Sequence, residues 1–411
     1  MTFINSNGNQ HIINVLKEER EFFVDFTKEK GINWPIDQQK NNILIISASL
    51  VGYIITPKRE ILLKPKYQEI NFNHILRIYL YLNSFHKNDD SKLLNVSANN
   101  DVDVARMFLD SLENQMKDGI LREYKEKIQS TDDIIGRVNF AKTVLNIKKN
   151  KKKPVLTTVR NLSTDNSINR LIAGALIKLR NHKNYALRAN EALNFFWEVS
   201  NPVTTKGHYY LQQIVFNSIN NSYREIATYA AMLIDYTDYS DLGSSTGVQS
   251  FLINFDTLFE DFIIAITTES GEENKFSTWK QKKLLTNNIV SDYELYYQPD
   301  LLYDFDSDSP LNNFKPYSFG VLDVKNKAYG IFKNADVYQL LTYANALNSK
   351  KAVLIYPSFS EINTQKICFD YELFDPSEVY GEYINIAEYS GDDFLNSISI
   401  FKQKLFNTLL H

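Results

Sequence analysis

Apolar and polar positions along this 411-residue chain follow two rhythms, and where each one holds predicts the elements. From Asn42 to Tyr67, NILIISASLVGYIITPKREILLKPKY, β-branched and apolar residues crowd between Gly52, Pro57 and Pro65, the pattern of short strands parted by turns. From Phe72 to Leu82, and again from Val102 to Ile128, apolar residues recur three and four apart, so a small β-rich unit leads into amphipathic helices. The stretch from Asn139 to Arg160 reads as two β-prone pieces around a basic turn, a hairpin tipped by Lys148, Lys149, Lys151, Lys152 and Lys153. Residues 166–240 return to helical spacing, with Asn166 or Ser167 as N-cap. The Gly- and Ser-rich DLGSSTGVQ, Asp241 to Gln249, then reads as a domain boundary.

Beyond that boundary, Phe255, Leu258, Phe259, Phe262, Ile263 and Ile266 trace one helical stripe, flanked by Glu260. Strands are expected over Tyr293 to Phe305 and Tyr317 to Lys325, with a short third around Ala328 to Phe332. A helix over Asn334 to Leu347 and a buried strand over Lys351 to Pro357 complete the order α, β, β, β, α, β. The pattern divides the chain into a β-rich and helical part (1–135), a connector carrying the basic hairpin (136–245) and a C-terminal domain (246–411).

Composition changes this picture by exclusion. Hydrophobic residues at 44% and charged residues at 23% are those of a folded globular chain. The longest apolar runs, such as Ile43 to Ile55, contain Ser and Gly and fall short of the roughly 20 residues that cross a bilayer, so no membrane span is expected. The N-terminal MTFINSNGNQHII lacks a basic segment followed by an apolar stretch and a small-residue cleavage site, so no secretory leader is expected and the cytoplasm is the default. One cysteine, Cys368, rules out an intramolecular disulfide and a Cys-based zinc site, and reads as a small buried hydrophobe. The net charge of −4 argues against coating nucleic acid by bulk electrostatics and confines any DNA contact to a local groove. No phosphate-binding G-x-x-x-x-G-K-[ST] or zinc-binding H-E-x-x-H occurs, the GSSTG of Gly243 to Gly247 lacks the lysine that would reach phosphates, and His208 reads as a helix-start or surface histidine.

The candidate chemistry lies where polar residues interrupt apolar strands. Residues two apart along a strand share a face, so Asp323 and Lys325 point together, away from Leu322 and Val324. An antiparallel pairing with the preceding strand would bring Asp300 beside them, giving two carboxylates and an ammonium within reach of one point. That donor set suits Mg²⁺, which takes oxygen ligands and keeps several waters. There it could polarise a phosphate and acidify an attacking water, which Lys325 would orient. Gln339 and Tyr343, one helical turn apart, share a face and could position the lysine or the substrate backbone. Taken singly, each residue has a plainer reading: an exposed D-x-K ion pair, a solvated helix carboxylate at Glu260, and a lysine run facing water.

Together the residues resemble the PD-(D/E)xK nuclease signature: Pro299-Asp300, Asp323-Val324-Lys325, and the Q-x-x-x-Y of Gln339 and Tyr343 found in several of its branches. Glu260, in F-x-x-L-F-E, matches the acidic position that superfamily often carries before its first strand. Upstream, VGYIITPKREILLKPKY (Val51 to Tyr67), GRVNFAKT (Gly136 to Thr143) and STDNSINRLIAGALIKL (Ser163 to Leu179) are similar to the McrC family, including its LlaJI-type relatives. The resemblance runs from about residue 40 to 357 and is densest from Phe255 to Pro357. It implies an α+β N-terminal half followed by an α/β restriction-endonuclease-like domain with a mixed central sheet. It also implies a Mg²⁺-dependent DNA endonuclease, with Mn²⁺ able to substitute and Asp300, Asp323 and Glu260 as metal ligands. Such a subunit serves restriction of foreign double-stranded DNA with an McrB-like AAA+ GTPase, a hexameric ring whose GTP turnover it stimulates, the basic hairpin being a candidate contact for partner or DNA. Two alternatives stand beside this: a catalytically vestigial activator of the GTPase, and a stand-alone repair exonuclease. The long interval between Asp300 and Asp323, which includes the acidic DFDSDSPLNN, departs from the common pattern.

Overall fold

The computed structural model describes residues 2–4, 6–7, 9–84, 103–240, 248–280, 284–285, 296–304, 320–328, 332–347, 349, 351–368 and 378–410. The chain divides into two compact units, one formed by Met1–Val102 with Ser250–His411, the other by Asp103–Gln249. The first hundred residues are not a domain of their own, because their apolar faces are buried against the C-terminal part.

In the first unit the strands Ile43–Ser47, Leu50–Ile55 and Glu60–Leu63 arise where the β-branched runs were read. Leu50–Ile55 lies between Glu60–Leu63 and Val248–Asn254, so the sheet joins segments some two hundred residues apart in sequence. Gly52 sits inside this strand rather than breaking it. Its φ is +137°, and a Cβ there would lie 2.0 Å from the Phe251 carbonyl oxygen, so the close approach of the two backbones requires glycine.

The helix Phe72–Ser84 packs into the same unit, where the buried guanidinium of Arg77 donates to the carbonyls of Glu388 and Tyr389, the latter at 2.8 Å. The helix Phe255–Asn274 is capped by Asn254, whose side chain accepts from the Asp256 and Thr257 N–H groups, and it ends at Lys275 in the left-handed region. A six-stranded mixed sheet follows, in the order Ser277–Lys280, Leu301–Asp304, Gly320–Val324, Lys351–Ser358, Glu378–Asn385, Gln365–Cys368. The first three are antiparallel neighbours, the next two pairings are parallel and the last is antiparallel.

Three strands of this sheet thus precede the helix Asn334–Leu347, but Ser277–Lys280 supplies the first of them, and Leu284–Leu285 and Tyr296–Tyr297 pair apart from it. Neither Ala328 nor Phe332 is in a strand, residues 329–331 lie outside the described residues, and so does most of the acidic insertion (305–319). The helix Asn334–Leu347 buries Val337, Leu340, Leu341 and Ala344 on the sheet face formed by Val321, Ala352, Leu354 and Tyr356. Cys368 is exposed, not buried, because it ends an edge strand whose side chains face outward.

In the second unit the helices Ser167–Leu179 and Arg224–Tyr236 form an apolar centre, and Asn166 is the N-cap, accepting from the Asn169 N–H at 2.9 Å. The helical reading of Val102 to Ile128 holds only for Val104–Met116; Glu123–Thr131 is a strand, paired antiparallel along its whole length with Val155–Ser163. Nine cross-strand partners outweigh the local helical spacing. The expected hairpin between Asn139 and Arg160 is likewise corrected. Phe140–Lys148 is a helix capped by the Asn139 side chain, and only the second arm, Val155–Ser163, is a strand. Lys148 and Lys149 close that helix, Asn150 takes a positive φ, and Lys151, Lys152 and Lys153 lead exposed into the strand. Among the described residues no helix is long and apolar enough to cross a membrane.

Candidate active site

The polar residues converge because of strand register. Leu301 stands opposite Leu322 in the antiparallel pair, so one step further brings Asp300 opposite Asp323. The Val324 N–H donates to Asp300 Oδ2 at 2.7 Å, fixing that carboxylate against the strand end. Asp323 is 2% exposed, and its Oδ2 lies 2.5 Å from Lys325 Nζ. Lys325 Nζ also donates to Gln339 Oε1 at 3.1 Å, and Gln339 Nε2 donates to the Tyr343 hydroxyl at 2.9 Å. Sheet and helix therefore present one continuous polar chain: Asp300, Asp323, Lys325, Gln339, Tyr343. Glu260, partly exposed on the helix Phe255–Asn274, stands close enough for its charge to act on Asp300.

The electrostatics are those of a carboxylate pair short of cations. Burial, then the neighbouring Asp323 charge, and after it Glu260, push Asp300 up to about 8, against the pull of the Val324 N–H and Lys325. Burial raises Asp323 as well, opposed chiefly by Lys325. Burial alone would lower Lys325, yet Asp323, Asp300 and Asp336 together leave it raised, so the ammonium stays charged. One ammonium cannot balance a buried and a half-buried carboxylate, and Asp323 Oδ2, though beside Lys325, lacks a hydrogen bond of good geometry.

This all-oxygen, electron-rich set fits a hard divalent cation. Among the described residues no three His, Cys, Asp or Glu side chains enclose a metal by themselves, so a cation here would be completed by water and substrate oxygens, as Mg²⁺ prefers. The lysine run belongs to the other unit.

Sequence spacing missed the supports. Lys327 Nζ is 2.6 Å from Asp336 Oδ1, which ties the residue two past Lys325 to the first turn of the helix that carries Gln339. Asp336 lies three residues before Gln339, a proximity the helical period could have suggested. Lys66, Tyr67 and Asn326 form a second support that no local signal discloses.

The sequence model of a family described as "McrBC 5-methylcytosine restriction system component" matches residues 46–357. The chain belongs to this family. The span matched to the McrBC family contains Glu260, Asp300, Asp323, Lys325, Gln339 and Tyr343, as well as the Lys66 and Tyr67 support; the strands Gln365–Cys368 and Glu378–Asn385 and the final helix Gly391–Leu410 lie beyond it.

No curated protein matches this McrBC-family chain. Among solved structures, it is similar to a chain in the refined half-complex from the tetradecameric assembly of Thermococcus gammatolerans McrB AAA+ hexamers with bound McrC. The TM-score is 0.54 and the identity 15%, with 99% of each chain covered. That likeness is one of fold. A chain in the cryo-EM structure of the Thermococcus gammatolerans McrBC complex aligns at TM-score 0.40 and 15% identity, over 66% of this chain and 87% of that one.

Proposed function

We propose that this McrBC-family chain is an McrC-like nuclease subunit, a PD-(D/E)xK endonuclease that hydrolyses DNA phosphodiester bonds in complex with an McrB-like AAA+ GTPase. The observation that carries the reading is the register of Leu301–Asp304 on Gly320–Val324. It sets a buried and a half-buried carboxylate and one lysine at a single point, with Gln339 holding the lysine. A structural ion pair needs no second carboxylate pressed into the same low-dielectric site, and such crowding of like charge is what cation-dependent hydrolytic sites use.

Asp300 and Asp323 would hold Mg²⁺, with Glu260 in support, and the ion would supply charge neutralisation at the scissile phosphate and a more acidic water. Lys325, kept charged by Asp323, orients the attacking water and faces the negative charge that grows on the phosphate. Gln339 restrains the lysine, and Tyr343 restrains Gln339, so the ammonium is set before substrate arrives.

The surface for the partner is read from the second unit. Tyr124, Ile128 and Leu162 on the paired strands, and Phe140, Val144, Leu145 and Ile147 on the adjoining helix, are all exposed, Phe140 by 77%. So much apolar surface beside Lys148, Lys149, Lys151, Lys152 and Lys153 suits docking to the GTPase ring better than solvent.

Replacing Asp323 with Ala is expected to abolish cleavage while leaving GTPase binding intact, measured by nicking of circular DNA and by co-elution with the partner. Loss of both would show that Asp323 holds the fold and would remove the reading.

A further inference from the structure

Lys325 stands one residue past the end of its strand, held there by its N–H donating to the Ile355 carbonyl at 2.8 Å. A chain leaving a sheet frays unless something holds the next residues. Here that hold comes from the N-terminal part of the same unit, nearly the whole matched span away in sequence. Tyr67, 5% exposed, shares its hydroxyl proton between the Asn326 carbonyl at 2.7 Å and Asn326 Oδ1 at 2.9 Å, and its oxygen accepts from the Ala328 N–H at 3.2 Å. Lys66 Nζ donates to the same Asn326 carbonyl at 2.6 Å and to Asp256 Oδ1 at 2.7 Å. Asn326 Nδ2 closes the ring by donating to Asp256 Oδ1 at 2.7 Å.

Asp256 lies one helical turn before Glu260, on the same face of Phe255–Asn274. The ring therefore joins the backbone just after Lys325 to the helix that carries Glu260. On the other side, Lys327 is held by Asp336, three residues before Gln339. Each neighbour of the catalytic lysine is thus pinned to an element bearing another member of the site.

The geometry points to Lys66 and Tyr67 as positioning residues for the cleavage reaction, a latch from the N-terminal segment that fixes Asn326 and through it the placement of Lys325 relative to Asp300, Asp323 and Glu260. This rests on the nuclease reading above. Lys66 and Tyr67 are engaged with Asn326 and Asp256, so the latch acts through the placement of Lys325 and not by contact with the phosphate. Its effect should appear in turnover and not in DNA affinity.

The test compares wild type with Tyr67→Phe, which keeps the ring packed on Phe255 and Phe359, with Lys66→Met, and with the double variant. Cleavage of circular DNA at saturating DNA and Mg²⁺, with partner and GTP, is expected to fall about tenfold in Tyr67→Phe and further in the double variant, as small displacements of a catalytic group do. The half-saturating DNA concentration and the stimulated GTP turnover should stay unchanged. Amide hydrogen exchange by mass spectrometry is read in parallel. The segment 325–328 should exchange about tenfold faster while Gly320–Val324 keeps its protection.

Unchanged exchange over 325–328, or cleavage within about twofold of wild type, would overturn the latch. So would a loss of GTP stimulation in step with a lower melting temperature, since that would make the contact a general brace. If wild type itself does not cut, the nuclease reading fails, and with it the assignment of Lys66 and Tyr67 to that reaction, whereas a latch failure with cutting intact leaves that reading in place.

Discussion

Asp300 and Asp323 differ from ordinary surface acids in that burial pushes both toward the protonated form; the Asp323 charge pushes Asp300 further, whereas the Lys325 ammonium and a hydrogen bond with Asp300 draw Asp323 back. Asp300, raised to about 8, favours its protonated form through the neutral range, so on the proposed reading a divalent cation held there would have to displace that proton. The sign follows directly: below the raised value metal binding competes with the proton, and above it the competition ends. The half-saturating Mg²⁺ concentration for cleavage is therefore expected to fall as pH rises, by up to about tenfold per unit, and to level off once pH passes the raised value. A Mg²⁺ titration of cleavage rate at several pH values checks this, and a flat dependence through the neutral range would show that Asp300 enters the reaction already ionised. At this scale much was legible from sequence, because D-x-K at a strand end and Q-x-x-x-Y on a helix are local patterns. Lys66 and Tyr67 were not, because tertiary proximity alone gives them their place, whereas Asp336 could have been suggested by its place one turn before Gln339.

Elements emerged from sequence where one period ruled and failed where pairing overrode it. The helices Phe72–Ser84, Phe255–Asn274 and Asn334–Leu347 and the strand Lys351–Ser358 follow their apolar patterns. Glu123–Thr131 did not, since its alternation is weak and its stability comes from a partner strand some thirty residues on; the helix Phe140–Lys148 replaced an expected strand because Asn139 caps it and its apolar residues recur at helical spacing. Cys368 was misplaced for a related reason: strand propensity does not say which strand will be the edge. Gly52 belongs to this scale too. An alanine there would set its Cβ against the Phe251 backbone at a φ that L-residues rarely adopt. Gly52→Ala is expected to cost about 2–4 kcal/mol, from strain and from separating the two strands, measured as a shift of the denaturant midpoint. A shift of only a few tenths would mean the strands part easily.

Across the whole molecule the telling feature is that the chain closes on itself. Segments before residue 103 complete the unit that carries the site: Arg77 holds the turn at Glu388 and Tyr389, the Tyr81 hydroxyl donates to Glu269 Oε2 at 2.5 Å, and Lys66 and Tyr67 reach Asn326. A fragment of residues 250–411 is accordingly expected to melt without a cooperative transition and to lack cleavage, whereas co-expression with residues 1–102 should restore a cooperative melt in calorimetry. A cooperative, active 250–411 fragment would show that the N-terminal segments are accessory.

The sequence could place a nuclease-like pattern at the C-terminal end, but not this closure, because nothing in a linear pattern tells a strand near residue 52 that its neighbour lies near 251. The most direct test of the central claim is Mg²⁺-dependent cleavage of closed circular DNA by wild type and Lys325→Ala, each with and without the AAA+ partner and GTP. Cutting of circles that needs partner and GTP and is lost in Lys325→Ala is the predicted result. Undiminished cutting by Lys325→Ala, or stimulated GTP turnover with no cutting of either methylated or unmodified circles, would contradict it.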